Sequence, residues 1–237
     1  MFLKLKKLLL LSLTFIVIPP YILEFSDVIP GSSVADLYPV HGIDVSHYQG
    51  NIDWEKISQT KLYSFAYIKA TESHDFVDNQ FKTNWDNARQ NNIIVGAYHF
   101  FTMRSSGFSQ ANYFISKVPN EIDSLPPAID VELNYHIDPK RVRSELNDLI
   151  TTLNDYYLKQ PIIYANYDTY NLYLKGYFDP QQIWIRDTDK LPSLDENWLF
   201  WQHTDQGRVL GIEGYVDKNV FNGDFEQLQG FARPQTK

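Results

Sequence analysis

The 237-residue chain contains no cysteine. Disulfides, thiolate metal sites and cysteine nucleophiles are therefore excluded, although the compartment is not fixed by this alone. There is no basic cluster to set against a formal net charge of -8, and nucleic-acid binding loses its electrostatic footing. No G-x-G-x-x-G follows the first strand-like run, no H-E-x-x-H occurs, and no G-x-S-x-G occurs. Dinucleotide binding, a zincin centre and a serine-hydrolase elbow each lose their usual signature. His41, His47, His99 and His203 flank apolar runs and are the only metal-ligand candidates of note, but no close pair shares a helix. No cofactor or metal is expected.

Long apolar runs are confined to the N-terminus. Lys4, Lys6 and Lys7 precede "LLLLSLTFIVI" (8–18), then Pro19 and Pro20. A positive stretch before about a dozen apolar residues matches an export signal, and the run is short for a spanning helix, which needs roughly 20. "SSVA" (32–35) offers small residues for cleavage; "YIL" after the prolines would extend the run into an uncleaved membrane tether. Either way the protein is expected to be exported, to the periplasm, cell envelope or beyond. Residues 1–40 are read as signal or anchor plus linker, and 41–237 as one domain, acting as a monomer. Removing residues 1–35 takes three lysines and two acids, so the charge stays negative.

From His41 onward short β-rich runs alternate with helical patterns. The runs are 42–46, 64–70, 93–100, 127–132, 161–167, 182–187, 198–204 and 215–221. Several are near-continuously apolar, as expected of parallel strands covered on both faces. Between them, 78–92 places Phe81, Trp85 and Ala88 at helical spacing, and 106–118 is similar. The longest helix is expected from Asp138 as N-cap with Pro139 in the first turn, burying Val142, Leu146, Leu149, Ile150, Leu153 and Tyr157. Gaps 188–197 and 205–214 hold few helix formers. The pattern predicts an α/β fold: a single irregular (β/α) TIM-like barrel with helices reduced in the last strands. An open doubly wound sheet is the alternative.

"AIDVE" (128–132) carries two acids in a run that otherwise reads as buried strand. In a strand, residues two apart share a face roughly 6.6 Å apart, so Asp130 and Glu132 face one way. Barrel chemistry gathers at the C-terminal strand ends. Asp44 lies near the end of the first run and Asp217 in the last, and first and last strands are neighbours in a closed barrel. Four acids would then surround one cleft. Crowding and burial raise carboxyl pKa values, which predicts one protonated group able to act as general acid beside ionised neighbours. Glycoside cleavage needs that division. D-x-E by itself also fits a capped turn followed by a solvated glutamate. The high aromatic content, 15%, suits a site that stacks on sugar rings, though most of these rings must be core.

Seven motifs in order, "HGIDVSHYQGNIDW" (41–54), "FAYIKATES" (65–73), "GAYHFF" (96–101), "PAIDVE" (127–132), "PIIYANY" (161–167), "FWQHT" (200–204) and "GYVDKNVFNG" (214–223), resemble glycoside hydrolase family 25, the Chalaropsis-type muramidases. The resemblance spans about 41–225. It implies hydrolysis of the β-1,4 bond between N-acetylmuramic acid and N-acetylglucosamine in peptidoglycan, the glycan strands being the partner. It further implies Glu132 as proton donor, Asp130 as nucleophile or N-acetyl-orienting group, and Asp44 and Asp217 as tuning acids. Tyr98 and Tyr164 are implied as aromatic floor and hydrogen-bond donors, with Gln202 nearby; Tyr67, Trp184 and Arg186 complete the expected substrate contacts. "WIRDTD" departs from the family's small residue and aromatic after "W-I". Arg186 is expected to pair with Asp187, the alternative being a contact to a substrate carboxylate. A non-catalytic glycan binder and a chitinase-like glycosidase remain as alternative functions.

Overall fold

The computed structural model describes residues 31–133, 136–178, 182–193 and 198–233. The export-signal stretch, 1–30, lies outside them. Among the described residues no helix is long and apolar enough to cross a membrane.

Eight strands close into a barrel in the order β1 (His41–Val45), β9 (Val216–Phe221), β8 (Trp198–Gly207), β7 (Gln182–Arg186), β6 (Ile162–Asn166), β5 (Ala128–Asp130), β4 (Ile94–Phe100), β2 (Phe65–Glu72), with β2 returning to β1. A two-residue strand, β3 (Phe76–Val77), folds back on β2. Strands β1, β2 and β4 to β8 run parallel, as their apolar runs imply. The last strand departs from that pattern: β9 is antiparallel to both β8 and β1. The connection from Gly207 to Val216 explains it, since a parallel crossover takes a dozen residues or more.

Helices cover the barrel's first half: α2 (Trp54–Thr60), α3 (Phe81–Gln90), α4 (Gly107–Ile115) and α5 (Pro139–Tyr157). The Asp138 side chain accepts from the Lys140 N–H and Pro139 occupies the first turn of α5, whose six expected apolar residues are all buried. After β6 only short helical turns follow, through 167–174, and none is found among the described residues between β7 and β9. The N-terminal segment covers the gap. In the stretch read as linker, α1 (Gly31–Ala35) buries Ala35, and Tyr38 packs edge-on against Trp198 and Trp201 on the outer face of β8. A last helix, α6 (Phe225–Ala232), buries Leu228 and Ala232 in the barrel-interior cluster.

Strand alternation creates two cores. One face packs outward on the helices, with Ile43, Val45, Ile68, Val95, Ala97, Ile129 and Ile163. The other fills the barrel with Phe65, Tyr67, Ala128, Ile162, Tyr164, Trp184, Phe200 and Phe221. Two glycines make room for these rings. A Cβ on Gly42 would lie 2.4 Å from the Phe65 ring, and one on Gly96 2.2 Å from the Tyr67 ring. The interior is therefore packed to its middle, and only the mouth at the C-terminal strand ends is left for chemistry.

Candidate active site

The same alternation that points aromatics into the barrel places polar groups at its mouth. Asp44 on β1, Tyr98 on β4, Asp130 on β5, Tyr164 on β6, Arg186 on β7 and Gln202 on β8 line one cavity of about 190 Å3, with Trp184, Glu132, Asp205 and Asp217. Drug-sized ligand sites run to roughly 300–1,000 Å3. This cavity is smaller, and it opens at the barrel mouth.

Asp44 is the most tightly held acid. Its Oδ2 accepts from Gln202 Nε2 at 3.1 Å and Asn219 Nδ2 at 2.8 Å. Each donor is oriented in turn: Tyr164 donates its hydroxyl proton to Gln202 Oε1 at 2.9 Å, and Trp184 Nε1 donates to Asn219 Oδ1 at 2.8 Å. Asp217 stands opposite Asp44 in the β1–β9 ladder. Burial and the Asp44 charge push the Asp217 carboxyl up to about 9, and a hydrogen bond joins the two. Burial also pushes Asp44 up, while its three hydrogen bonds, from Asn219, Gln202 and Asp217, pull it back. The shared proton therefore resides on Asp217 and the negative charge on Asp44.

Asp130 ends β5, opposite Tyr164 of β6. Its Oδ1 is buried and has no hydrogen-bond partner among the described residues. Burial, then the charges of Glu132 and Asp44, hold this carboxyl well above the usual carboxylate range. β5 stops at Asp130, so Glu132 follows on the outgoing chain, exposed at the cavity's edge. Burial also raises the Tyr98 and Tyr164 hydroxyls far above their ordinary value, so both stay protonated donors at the cavity wall.

All four expected acids thus meet, with Tyr98, Tyr164, Gln202, Trp184 and Arg186. Tyr67 lies one layer deeper: fully buried, stacked at 4.9 Å on Trp184, its hydroxyl donating to the Pro126 carbonyl. It supports the floor without lining it. Arg186 does not pair with Asp187. Adjacent strand residues face opposite ways, so Asp187 accepts from the Asp189 and Lys190 backbone N–H groups, whereas Arg186 donates from Nη2 to Asp205 Oδ2 at 2.8 Å. Just after Asp44 in the chain, Ser46 caps the turn at 47–49. Asp205 and Asn219 were not anticipated; Asn219 shares a strand face with Asp217 two residues earlier, a signal present in "YVDKNVF".

The histidines lie away from the cavity. His47 contacts Asp78 at 2.7 Å, and His99 sits between Thr71 and Gln110. Among the described residues no three His, Asp or Glu groups converge as metal ligands. The donor set at the mouth is carboxyl, phenol and amide, suited to proton transfer and to stabilising positive charge.

A (β/α) barrel with a D-x-E pair and two further acids at its C-terminal mouth defines a glycoside hydrolase. The model for "Glycosyl hydrolases family 25" matches residues 43–212, and the chain belongs to that family, as a glycoside hydrolase of the lysozyme type. It is 38% identical to the uncharacterized protein YegX of Escherichia coli K12, over 82% of this chain and 74% of that one. Lysozyme M1 of Streptomyces globisporus is 35% identical, over 84% of this chain and 73% of its own. The solved structure of a family 25 glycosyl hydrolase from Bacillus anthracis superposes with a TM-score of 0.79 at 40% identity, covering 83% of this chain and 95% of that one.

Proposed function

We propose that this protein is a muramidase that hydrolyses the β-1,4 bond between N-acetylmuramic acid and N-acetylglucosamine in peptidoglycan. One relative, 29% identical, is an N,O-diacetylmuramidase of Arthroderma benhamiae, and lysozyme M1 points the same way. The observation that carries the reading is the buried Asp130 Oδ1, without a hydrogen-bond partner among the described residues, in the same cavity as Glu132. A buried acceptor left without a partner costs about 1–3 kcal/mol, a strain that functional sites retain.

Glu132 is the general acid. It protonates the leaving glycosidic oxygen, and its carboxylate then takes a proton from the water that attacks the anomeric carbon of the intermediate, which releases the sugar and restores the acid. Asp130 is the second reacting carboxyl. It meets the positive charge developing at the anomeric carbon by direct attack, or orients the substrate N-acetyl so that its oxygen attacks. Either route uses the ionised form of Asp130, so the proton that burial and crowding favour passes to solvent through the open mouth before the bond breaks. The Asp44–Asp217 pair keeps a fixed negative charge below the oxocarbenium-like carbon, while the Tyr98 hydroxyl supplies a donor to the sugar and Tyr164 holds Gln202 in place. The chain acts as an exported monomer, released or held by its N-terminus.

The test is release of reducing ends from purified peptidoglycan, with products identified by mass spectrometry. Glu132→Gln should lower kcat roughly a hundred- to ten-thousand-fold with an unchanged melting temperature. Near wild-type turnover by that variant rules out Glu132 as the acid. Equal or faster cleavage of chitin oligomers would assign a different substrate, and binding without products from wild-type protein would make it a glycan binder.

A further inference from the structure

The substrate class proposed above is an acidic polymer, yet the cleft that would receive it is acidic too. Five carboxyl side chains line it, from Asp44, Asp130, Glu132, Asp205 and Asp217, against one cation, Arg186. The whole chain carries a formal charge of -8. Long-range attraction to a carboxylate-bearing strand is therefore lacking, and a local contact must supply it.

Arg186 is placed to do so. It ends β7 at the mouth, level with Asn166 on β6 and Gln202 on β8, so its stem is fixed by the ladder on both sides. Its side chain is one-third exposed, 33%, and faces the cavity. Asp205 braces the guanidinium from beyond a register shift in β8, through a single 2.8 Å hydrogen bond from Nη2. No other hydrogen bond engages Arg186 among the described residues. The planar fork matches a carboxylate in two-point geometry, and a brace on one corner orients the rest while leaving donors for a second anion.

We propose that Arg186, braced by Asp205, is a specificity-determining residue that receives a carboxylate of the substrate glycan and so distinguishes muramyl-containing strands from neutral N-acetylglucosamine polymers. The proposal rests on the peptidoglycan reading above. Two sources present the same chemistry: the lactyl carboxylate of a muramyl residue freed of its peptide, and a carboxylate of an attached stem peptide.

Three substrates separate the outcomes: intact peptidoglycan, glycan strands stripped of peptides by an amidase, and stripped strands with carboxyls reduced to alcohols. Carboxyl reduction is expected to lower wild-type kcat/KM at least about ten-fold, chiefly through KM, as expected on loss of a charge-assisted two-point contact. Added salt should erode that preference. Preference for stripped over intact strands identifies the lactyl group, and the reverse identifies the stem peptide. Arg186→Met should bring the ratio of carboxylate to alcohol substrate close to one, and Arg186→Lys should retain part of it. Each ratio is measured within one protein, so a partly destabilised variant still reports. Equal wild-type kcat/KM on reduced and unreduced stripped strands together with no preference for intact strands, or, in Arg186→Met, an undiminished preference for whichever carboxylate-bearing substrate wild type favours, overturns the proposal. Cleavage of none of the three by wild type overturns the peptidoglycan reading and this proposal with it.

Discussion

Asp44 and Asp217 stand directly opposite each other on the antiparallel strands β1 and β9, joined by a hydrogen bond that holds one proton between two carboxyls. The reversed direction of β9 makes this pairing. It brings the beginning of the last strand, rather than its end, to the mouth of the barrel. The resulting pair is lopsided: Gln202 and Asn219 both donate to Asp44 and draw the negative charge to it, leaving Asp217 to keep the proton.

The pair makes stability depend on pH with a definite sign. Asp217 holds its proton up to about 9 when folded, whereas an unfolded aspartate releases it near 4. The folded chain thus binds the extra proton between those values, and its stability falls as pH rises through them. The stabilising contribution is complete below the unfolded value and gone above the folded one. Asp130, also pushed up, adds the same sign. The melting temperature measured at pH 5, 7 and 9 should decline steadily, and Asp217→Asn, which keeps a hydrogen bond to Asp44 without a titrating proton, should flatten the decline. Superimposable pH profiles for the two proteins would place the proton elsewhere.

Much of this was legible before any coordinates. Period-two spacing put Asp130 and Glu132 on one face, strand-end position and the closing of the barrel put Asp44 and Asp217 beside them, and the family resemblance supplied Tyr164. The cap at Asp138 and the six apolar residues after it fixed α5. Three features were not legible for physical reasons. Where β5 stops depends on pairing with β4 and β6, so the split between a buried Asp130 and an exposed Glu132 could not be read from D-x-E. The partner of Arg186 lies nineteen residues on, past a register shift in β8, and periodicity carries no register across an irregular strand. The direction of β9 was readable in principle, because the loop before it is too short for a parallel crossover.

Asn219 should matter more than its anonymity in the sequence suggests. It is fully buried, donates to Asp44 and accepts from the Trp184 indole. Asn219→Ala leaves both partners short of a bond, at about 1–3 kcal/mol for the buried groups. A fall in melting temperature of several degrees is expected, and a fall in kcat of about ten-fold or more as the Asp44 charge loses its orientation. The second effect should persist at temperatures well below the melt. A variant that is less stable but fully active would show that Asn219 only packs.

Gly96 tests how strictly the barrel interior supports the floor. The methyl of Gly96→Ala would lie 2.2 Å from the Tyr67 ring. That ring cannot easily yield, since its hydroxyl is held by the Pro126 carbonyl and its face lies against Trp184. Overpacking of this kind costs typically about 1–3 kcal/mol. Because Trp184 lines the cavity, the displacement should reach the site, lowering kcat/KM together with the melting temperature. Gly230→Ala, with nothing within 4 Å of its new methyl, is the control: as an exposed helical position it should keep kcat/KM and hold or slightly raise the melting temperature.

Asp130 should trade stability for activity. Its carboxyl is crowded by Glu132 and Asp44, and its buried Oδ1 has no hydrogen-bond partner among the described residues. Asp130→Asn removes the ionisation but keeps the shape, so turnover should fall at least about a hundred-fold. Stability should hold or rise, by up to roughly 2 kcal/mol, as expected when a strained functional group is relieved. The gain should grow with pH, since wild-type Asp130 is neutral at low pH and is forced towards charge only as the pH climbs. Glu132→Gln, at an exposed position, should shift stability by less than about 0.5 kcal/mol at any pH. Thermal melts of the two variants at pH 5 and pH 8 make the comparison. If Asp130→Asn melts clearly below wild type at pH 8, favourable contacts hold the carboxylate in place, and crowding is not what shapes this cleft.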